Sequence, residues 1–190
     1  MTTSGVSNIS NGMFEECRKL PEVCIPEGVT NIGQRAFQEC LTLSNVSLPV
    51  GIRKIGNSAF AYCSELTTVD FPEGLVEIGA SAFKSCSKLK SVELPQGVLT
   101  IGAGAFGECG GMTALVLPAG LKDIGSGAFS RCAIIELEMP ESVTNIGSSA
   151  FYSCVHLEKV FVPGCVASIG DDAFQYCSGL MSVTLAEGVQ

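Results

Sequence analysis

Leu66-Thr67-Thr68-Val69-Asp70-Phe71-Pro72-Glu73-Gly74-Leu75-Val76-Glu77-Ile78-Gly79-Ala80-Ser81-Ala82-Phe83-Lys84-Ser85-Cys86 is the stretch that decides the fold. Val69 and Phe71 alternate with polar neighbours, the period-2 mark of a half-buried strand. Pro72 ends that strand because it has no N–H to give to a ladder, and Gly74 permits the bend after it. Leu75 and Ile78 turn inward again, and Gly79 opens the next corner. Phe83, Cys86 and Leu89 then stand three residues apart, which predicts one helical or 3-10 turn. Ser81 is the expected cap of that turn, as is Asp172 in the last copy.

Outward from this stretch the same unit recurs. Phenylalanine stands at 14, 37, 60, 83, 106, 129, 151 and 174, and a cysteine follows each by three residues, from Cys17 to Cys177. Proline keeps the beat from Pro26 to Pro163, with Ala186 in its place at the end. Six residues after each proline comes Ile-Gly, from Ile32-Gly33 to Ile169-Gly170. The working unit is L-x-x-V-x-L-P-x-G-V-x-x-I-G-x-x-A-F-x-x-C. One Phe-to-Phe interval, 129 to 151, is a residue short of the usual 23: after Cys132, Ala133 leads directly to Ile134 in the leucine slot. A fixed period of this length marks a solenoid. No coil can bury its apolar face alone, so stability comes from stacking. The expected organisation is a tail over 1–8, then one solenoid over 9–190 of about eight 22–23-residue repeats. Its fold class is an α/β repeat solenoid with one short parallel strand per coil.

These recurring L-P, I-G and A-F-x-x-C elements resemble the BspA-like, or treponemal, leucine-rich repeats over roughly residues 9–189. The resemblance implies a curved right-handed superhelix with its parallel sheet on the concave face. It also implies adhesion or host-protein binding, as for surface or secreted proteins of bacteria and protists. Met1-Thr2-Thr3-Ser4-Gly5 begins no signal peptide, so an intracellular location is expected. A cell-surface or secreted fragment is the alternative that the resemblance implies.

Composition narrows the function classes. Of 190 residues 46% are hydrophobic and 16% charged, which excludes disorder from high charge and low hydrophobicity. No apolar run approaches the ~18 residues of a membrane span. Eleven Lys+Arg against 19 Asp+Glu give a net charge of −8 and argue against nucleic acid. Eight of the ten cysteines occupy one repeat slot among Ala, Phe and Leu, so a buried ladder of free thiols is expected. Disulfides between stacked copies are disfavoured because parallel Cβ atoms make poor bridges. Without a C-x-x-C or companion histidines no zinc is expected. Cys24 and Cys165 lie off the ladder and are candidates for exposed thiols.

Other motifs dissolve into the repeat. Gly102-Ala103-Gly104-Ala105-Phe106-Gly107 matches the dinucleotide fingerprint, but no strand–helix unit surrounds it, so no cofactor is expected. His156, the single histidine, has no nucleophile or carboxylate partner placed by the sequence. Asn8-Ile9-Ser10 and Asn45-Val46-Ser47 are glycosylation sequons, relevant only in a secretory pathway. Asp171-Asp172 has no glycine-rich calcium pattern around it. No catalytic residue is assigned.

Function is therefore sought in the variable outward slots. The positions four and two before each proline, and one after it, total 24 across the copies. They hold nine acids: Glu22, Glu136, Asp70, Glu93, Glu138, Glu27, Glu73, Glu141 and Glu187. They hold one base, Lys159. Val116 and Phe161 are apolar where alternation points outward. The expected partner-binding residues are Asp70, Glu93, Val116, Glu136, Glu138 and Phe161, forming a non-enzymatic scaffold for a protein with a basic rim. A solvated face that only keeps the sheet soluble is the competing reading. A structural spacer working through its ends is the alternative function, with end-to-end contact through the C-terminal coil.

Overall fold

A computed structural model describes residues 5–189, so Met1–Ser4 of the expected tail, and Gln190, lie outside the described residues. Strands of two kinds alternate along the chain. The two-residue kind falls on the isoleucine slot: β1 (Asn8–Ile9), β3 (Asn31–Ile32), β5 (Lys54–Ile55), β7 (Glu77–Ile78), β9 (Thr100–Ile101), β11 (Asp123–Ile124), β13 (Asn145–Ile146) and β15 (Ser168–Ile169). The longer kind precedes the proline: β2 (Glu22–Cys24), β4 (Asn45–Ser47), β6 (Thr68–Asp70), β8 (Ser91–Glu93), β10 (Ala114–Val116), β12 (Glu136–Glu138), β14 (Lys159–Val162) and β16 (Ser182–Leu185). Every pairing is parallel and joins one coil to the next, giving a β-solenoid of about eight turns.

The expected single strand per coil is corrected to two. The isoleucine-slot strands form one unbroken eight-stranded sheet, whereas the longer strands form three separate ladders: β2-β4-β6, β8-β10 and β12-β14-β16. Glycine explains why the first sheet is continuous. A Cβ on Gly102 would sit 2.5 Å from the carbonyl carbon of Gly79, and one on Gly125 would sit 2.6 Å from the oxygen of Ile101. Only glycine lets neighbouring coils approach that closely.

The expected helical or 3-10 turns are absent among the described residues, so the class is all-β rather than α/β. The segment from Gly79 to Cys86 shows why. Ala82, Lys84 and Cys86 donate locally, to Gly79, Ser81 and Phe83 at 3.1–3.3 Å. The N–H groups between them, on Ser81, Phe83 and Ser85, instead donate to Ala103, Ala105 and Gly107 of the next coil at 2.7–2.8 Å. A helix needs uniform dihedrals and successive internal bonds. Here Ser81 and Ser85 have φ of 55° and 59°, so turns alternate with inter-coil bonds. Asp172, the other expected cap, has φ 60° and occupies the same slot.

The core lies between the two strand faces and this turn segment. Adjacent phenylalanine rings stack along the whole column, with centroids 5.1–5.6 Å apart and planes within 13°. Stacked aromatics of this kind add about 0.5–1.5 kcal/mol per pair beyond area burial. Phe37 to Phe151 are fully buried, while Phe14 and Phe174 are only partly covered. Seven cysteines of the ladder are buried and Cys17 is exposed. Each buried thiol also donates to a backbone carbonyl of the preceding coil, as Cys63 Sγ does to Phe37 O at 3.2 Å and Cys86 Sγ to Phe60 O at 3.2 Å. The slot thus asks for a small apolar group that still carries a donor. Burial pushes the Cys40 thiol up to about 11, raises Cys63 further, and holds Cys86 well above the usual thiol range.

Candidate functional site

The longer strands place alternate residues in and out. Val46, Val69, Val92, Leu137 and Val160 point into the core, and their neighbours on either side are exposed. All six expected binding residues lie on this outward face. Register sets their neighbours: Glu93 is beside Val116, Glu138 beside Phe161, and Glu136 beside Lys159. Asp70 closes the first ladder, next to Ser47. Val116 and Phe161, 54% and 40% exposed, do not meet; Glu138 occupies the same slot in the coil between them.

The electrostatics of this face differ from the rest of the surface. Six ion pairs occur among the described residues, including Lys54–Glu77 at 2.7 Å, Lys88–Glu65 at 2.6 Å and Arg18–Glu39 at 2.7 Å. The other three are Arg18–Glu16, Arg35–Glu15 and Lys84–Glu108. None of them involves any of the nine acids in the outward slots. All nine are exposed. Nine acids without an ion pair, against Lys159 as the one cation in the same slots, leave a predominantly negative field over the face, which draws oppositely charged molecules and is screened by salt.

The face is interrupted by two seams where the ladders break. Between β6 and β8 a hollow of about 330 Å³ is lined by Asp70, Glu73, Glu93, Gln96 and Phe71. Phe71 occupies the slot that is Leu48 and Leu94 in neighbouring coils. Its ring meets Phe83 and Phe106 edge-on at 5.5 and 6.4 Å. Between β10 and β12 a larger groove of about 670 Å³ is lined by Ala114, Val116, Leu117, Ile135, Glu136 and Glu138, among others. This second seam falls at the 22-residue repeat. The two-residue turn that follows cysteine elsewhere, such as Ser64-Glu65, is missing after Cys132. The glycine-side sheet passes the deletion unbroken, with Ile124 opposite Ile146, so the displacement is taken up on the strand side.

Sequence reasoning did not single out Ile135, Val155 or Met181. With Ala133, His156 and Glu158 they line a further hollow of about 410 Å³ around the corner from the larger groove. A signal was present. The slot after each repeat leucine reads Ser44, Thr67, Lys90 and Thr113 in the middle coils, then Ile135, Glu158 and Met181. Ser44 Oγ donates to Pro21 O and Thr67 Oγ1 to Ser44 O, both at 3.2 Å. An isoleucine or methionine there forgoes that bond and presents carbon to water.

Comparison with known proteins agrees with this architecture. Residues 2–111 and 99–190 match the model of the BspA type leucine rich repeat region, in six copies. Among solved structures, a leucine-rich repeat protein of Treponema pallidum superposes with a TM-score of 0.79 at 36% identity, covering 83% of this chain and 74% of its own. A leucine rich cell surface protein of Faecalibacterium prausnitzii superposes with a TM-score of 0.79 at 27% identity, covering 94% of this chain. The present chain spans 64% of the length of that protein. A leucine-rich repeat protein of Bacteroides ovatus superposes with a TM-score of 0.53 at 26% identity. Among curated proteins nothing matches the chain.

Proposed function

The chain belongs to the BspA-type leucine-rich repeat family, and from that membership we propose a non-enzymatic protein-interaction module of the adhesion type whose binding face is the acidic one carried by the longer strands. The observation that carries this reading is the unpaired state of the nine outward acids, while six ion pairs form elsewhere on the surface. A face selected only for solubility has no need to segregate its charge in this way. The partner is a protein with a basic rim, steered by Asp70, Glu93, Glu136 and Glu138. Val116 and Phe161 supply apolar contacts inside that rim. The cell-surface setting of the Faecalibacterium relative supports the adhesion form of this reading.

Two charge-matched variants test it. One reverses Asp70→Lys, Glu93→Lys and Glu138→Lys on the face; the other reverses Glu16→Lys, Glu65→Lys and Glu77→Lys away from it. Capture of proteins from a source lysate, followed by binding of the purified candidate, should be lost in the first variant and kept in the second. Equal loss in both would reduce the interaction to net charge, and no loss in either would remove the face from the account.

A further inference from the structure

The groove at the 22-residue repeat and the hollow around the corner from it share Thr113 and Ile135. Together they make one apolar run that crosses from Val116, past Ile135, to Val155 and Met181. Ile135 is 42% exposed, Val155 43% and Met181 72%. The charged side chains lining this run are Glu136, Glu138 and Glu158; no Lys or Arg lines either basin. None of the three acids forms an ion pair among the described residues.

We propose that this joined groove anchors an extended segment of a partner protein in which apolar side chains alternate with Lys or Arg. The inference rests on the protein-binding reading above and adds the anchoring site and the chemistry of the segment. Charge complementarity chooses the occupant. Three unpaired acids around an apolar floor match cations flanking apolar side chains, and an acidic or neutral segment would leave them uncompensated. Shape supports an extended rather than helical segment. The two basins share Ile135, and alternate side chains of an extended chain fall ~6.5–7 Å apart on one face, enough to fill both. The intervening Lys or Arg start on the other face and reach the rim acids along their long stems. A helix is ~10 Å across and does not follow a corner one residue wide.

The deletion after Cys132 gives the site its origin. It removes a turn where the ladder between β10 and β12 is broken, and the slot after the repeat leucine, which bears a hydroxyl in Thr67 and Thr113, holds Ile135 in this coil. Ile135→Thr restores the residue that two other coils already carry, so the variant should fold as the parent does.

The test uses the full chain and three labelled synthetic peptides, followed by fluorescence anisotropy: alternating Lys-Leu, alternating Lys-Ser and alternating Glu-Leu. The Lys-Leu peptide should bind, and the other two should bind at least about tenfold more weakly, because each lacks one half of the recognition. Ile135→Thr should weaken Lys-Leu binding about tenfold, and Glu136→Lys with Glu138→Lys should weaken it more. Glu16→Lys with Glu65→Lys, away from the face, should change it by no more than about twofold at moderate salt. Asp70→Lys with Glu93→Lys, on the same face outside the groove, should weaken it less than the Glu136, Glu138 pair does. Failure of the Lys-Leu peptide to bind at millimolar concentration overturns the inference, as does binding indifferent to Ile135→Thr. If Asp70→Lys with Glu93→Lys abolishes binding while Ile135→Thr does not, the groove is wrong and the wider acidic face survives. If none of these variants matters, both readings fall. A dimer in sedimentation that Ile135→Thr dissociates would put a second copy in the groove and overturn the peptide assignment.

Discussion

The two edges of each coil behave differently. On the glycine side, seven pairings run from β1 to β15 without a break, and backbones are so close that a methyl group would collide with the coil before. On the strand side the ladder breaks twice, at Phe71 and at the 22-residue repeat, and both breaks leave hollows. The same deletion that opens the strand side leaves Asp123 and Ile124 in register with Asn145 and Ile146. One edge clasps the stack, and the other tolerates changes in length, bulk and charge. Variation that would destroy a solenoid on the first edge can become a binding surface on the second.

The sharpest contrast lies in the core beside the clasped edge. Phe106 is fully buried and stacked on both sides, at 5.3 and 5.6 Å. Phe106→Ala should cost ~3–5 kcal/mol in urea titrations, because it leaves a cavity mid-stack. Leu117→Ala, at a half-buried strand-side position, should cost about half of that or less. Equal losses would erase the difference between the edges.

Backbone approach gives the next effect. Gly102→Ala forces atoms apart across a 2.5 Å gap and should cost about 1–3 kcal/mol. Gly120→Ala lies on the strand side beside the second break, where the nearest atom is Leu99 Cδ2 at 3.5 Å, and should stay within about 0.5 kcal/mol. It is unlike Gly97→Ala in the same slot one coil earlier, whose Cβ would meet Leu75 O at 2.7 Å. A large loss at Gly120 would show that the strand side is held tightly even beside the break.

Thiol burial predicts a pH dependence. The Cys40 thiol is raised from 9.0 to about 11 by burial, and Cys63 further. Below pH 9 both folded and unfolded chains hold the proton, so the full stability is present. As pH rises from 9 through 11 the unfolded chain releases protons that the folded chain keeps, and stability falls. Urea midpoints under reducing conditions should therefore decline above pH 9, and Cys40→Ala should flatten part of that decline. A midpoint independent of pH in this range would mean that the ladder is open to water.

The smallest expected effect is a gain. Ser81 holds φ at 55°, a region that disfavours a side chain. Ser81→Gly should stabilise by about 0.5 kcal/mol, after allowing for the greater freedom of glycine in the unfolded chain. A loss would mean that the Ser81 side chain makes a contact worth more than the strain.

The sequence carried the repeat, the inward columns, the outward acids and the place of the deletion, because each is a matter of spacing or alternation. It misled at the Phe-to-Cys segment. Phe83, Cys86 and Leu89 keep a three-residue period without a helix, since the N–H groups of Ser81, Phe83 and Ser85 turn to the next coil. The second sheet was hidden for a related reason: two residues such as Glu77–Ile78 show no alternation of their own. Ile135 was passed over because one missing residue reads as a change of length, and the groove that it opens is a property of neighbouring coils. Asp70, Glu93, Glu136 and Glu138 were legible as charge, but their lack of ion pairs depended on where every lysine and arginine came to lie.

Amide hydrogen exchange under native conditions compares the two edges coil by coil. The amides of Gly125 and Gly147, which donate to Ile101 and Ile124 at 2.9 and 2.8 Å, should be among the slowest to exchange. Those of Glu136 and Glu138, which face the break between β10 and β12, should exchange distinctly faster. Uniform protection around each coil, or faster exchange on the glycine side, would contradict a stack clasped at one edge and open at the other.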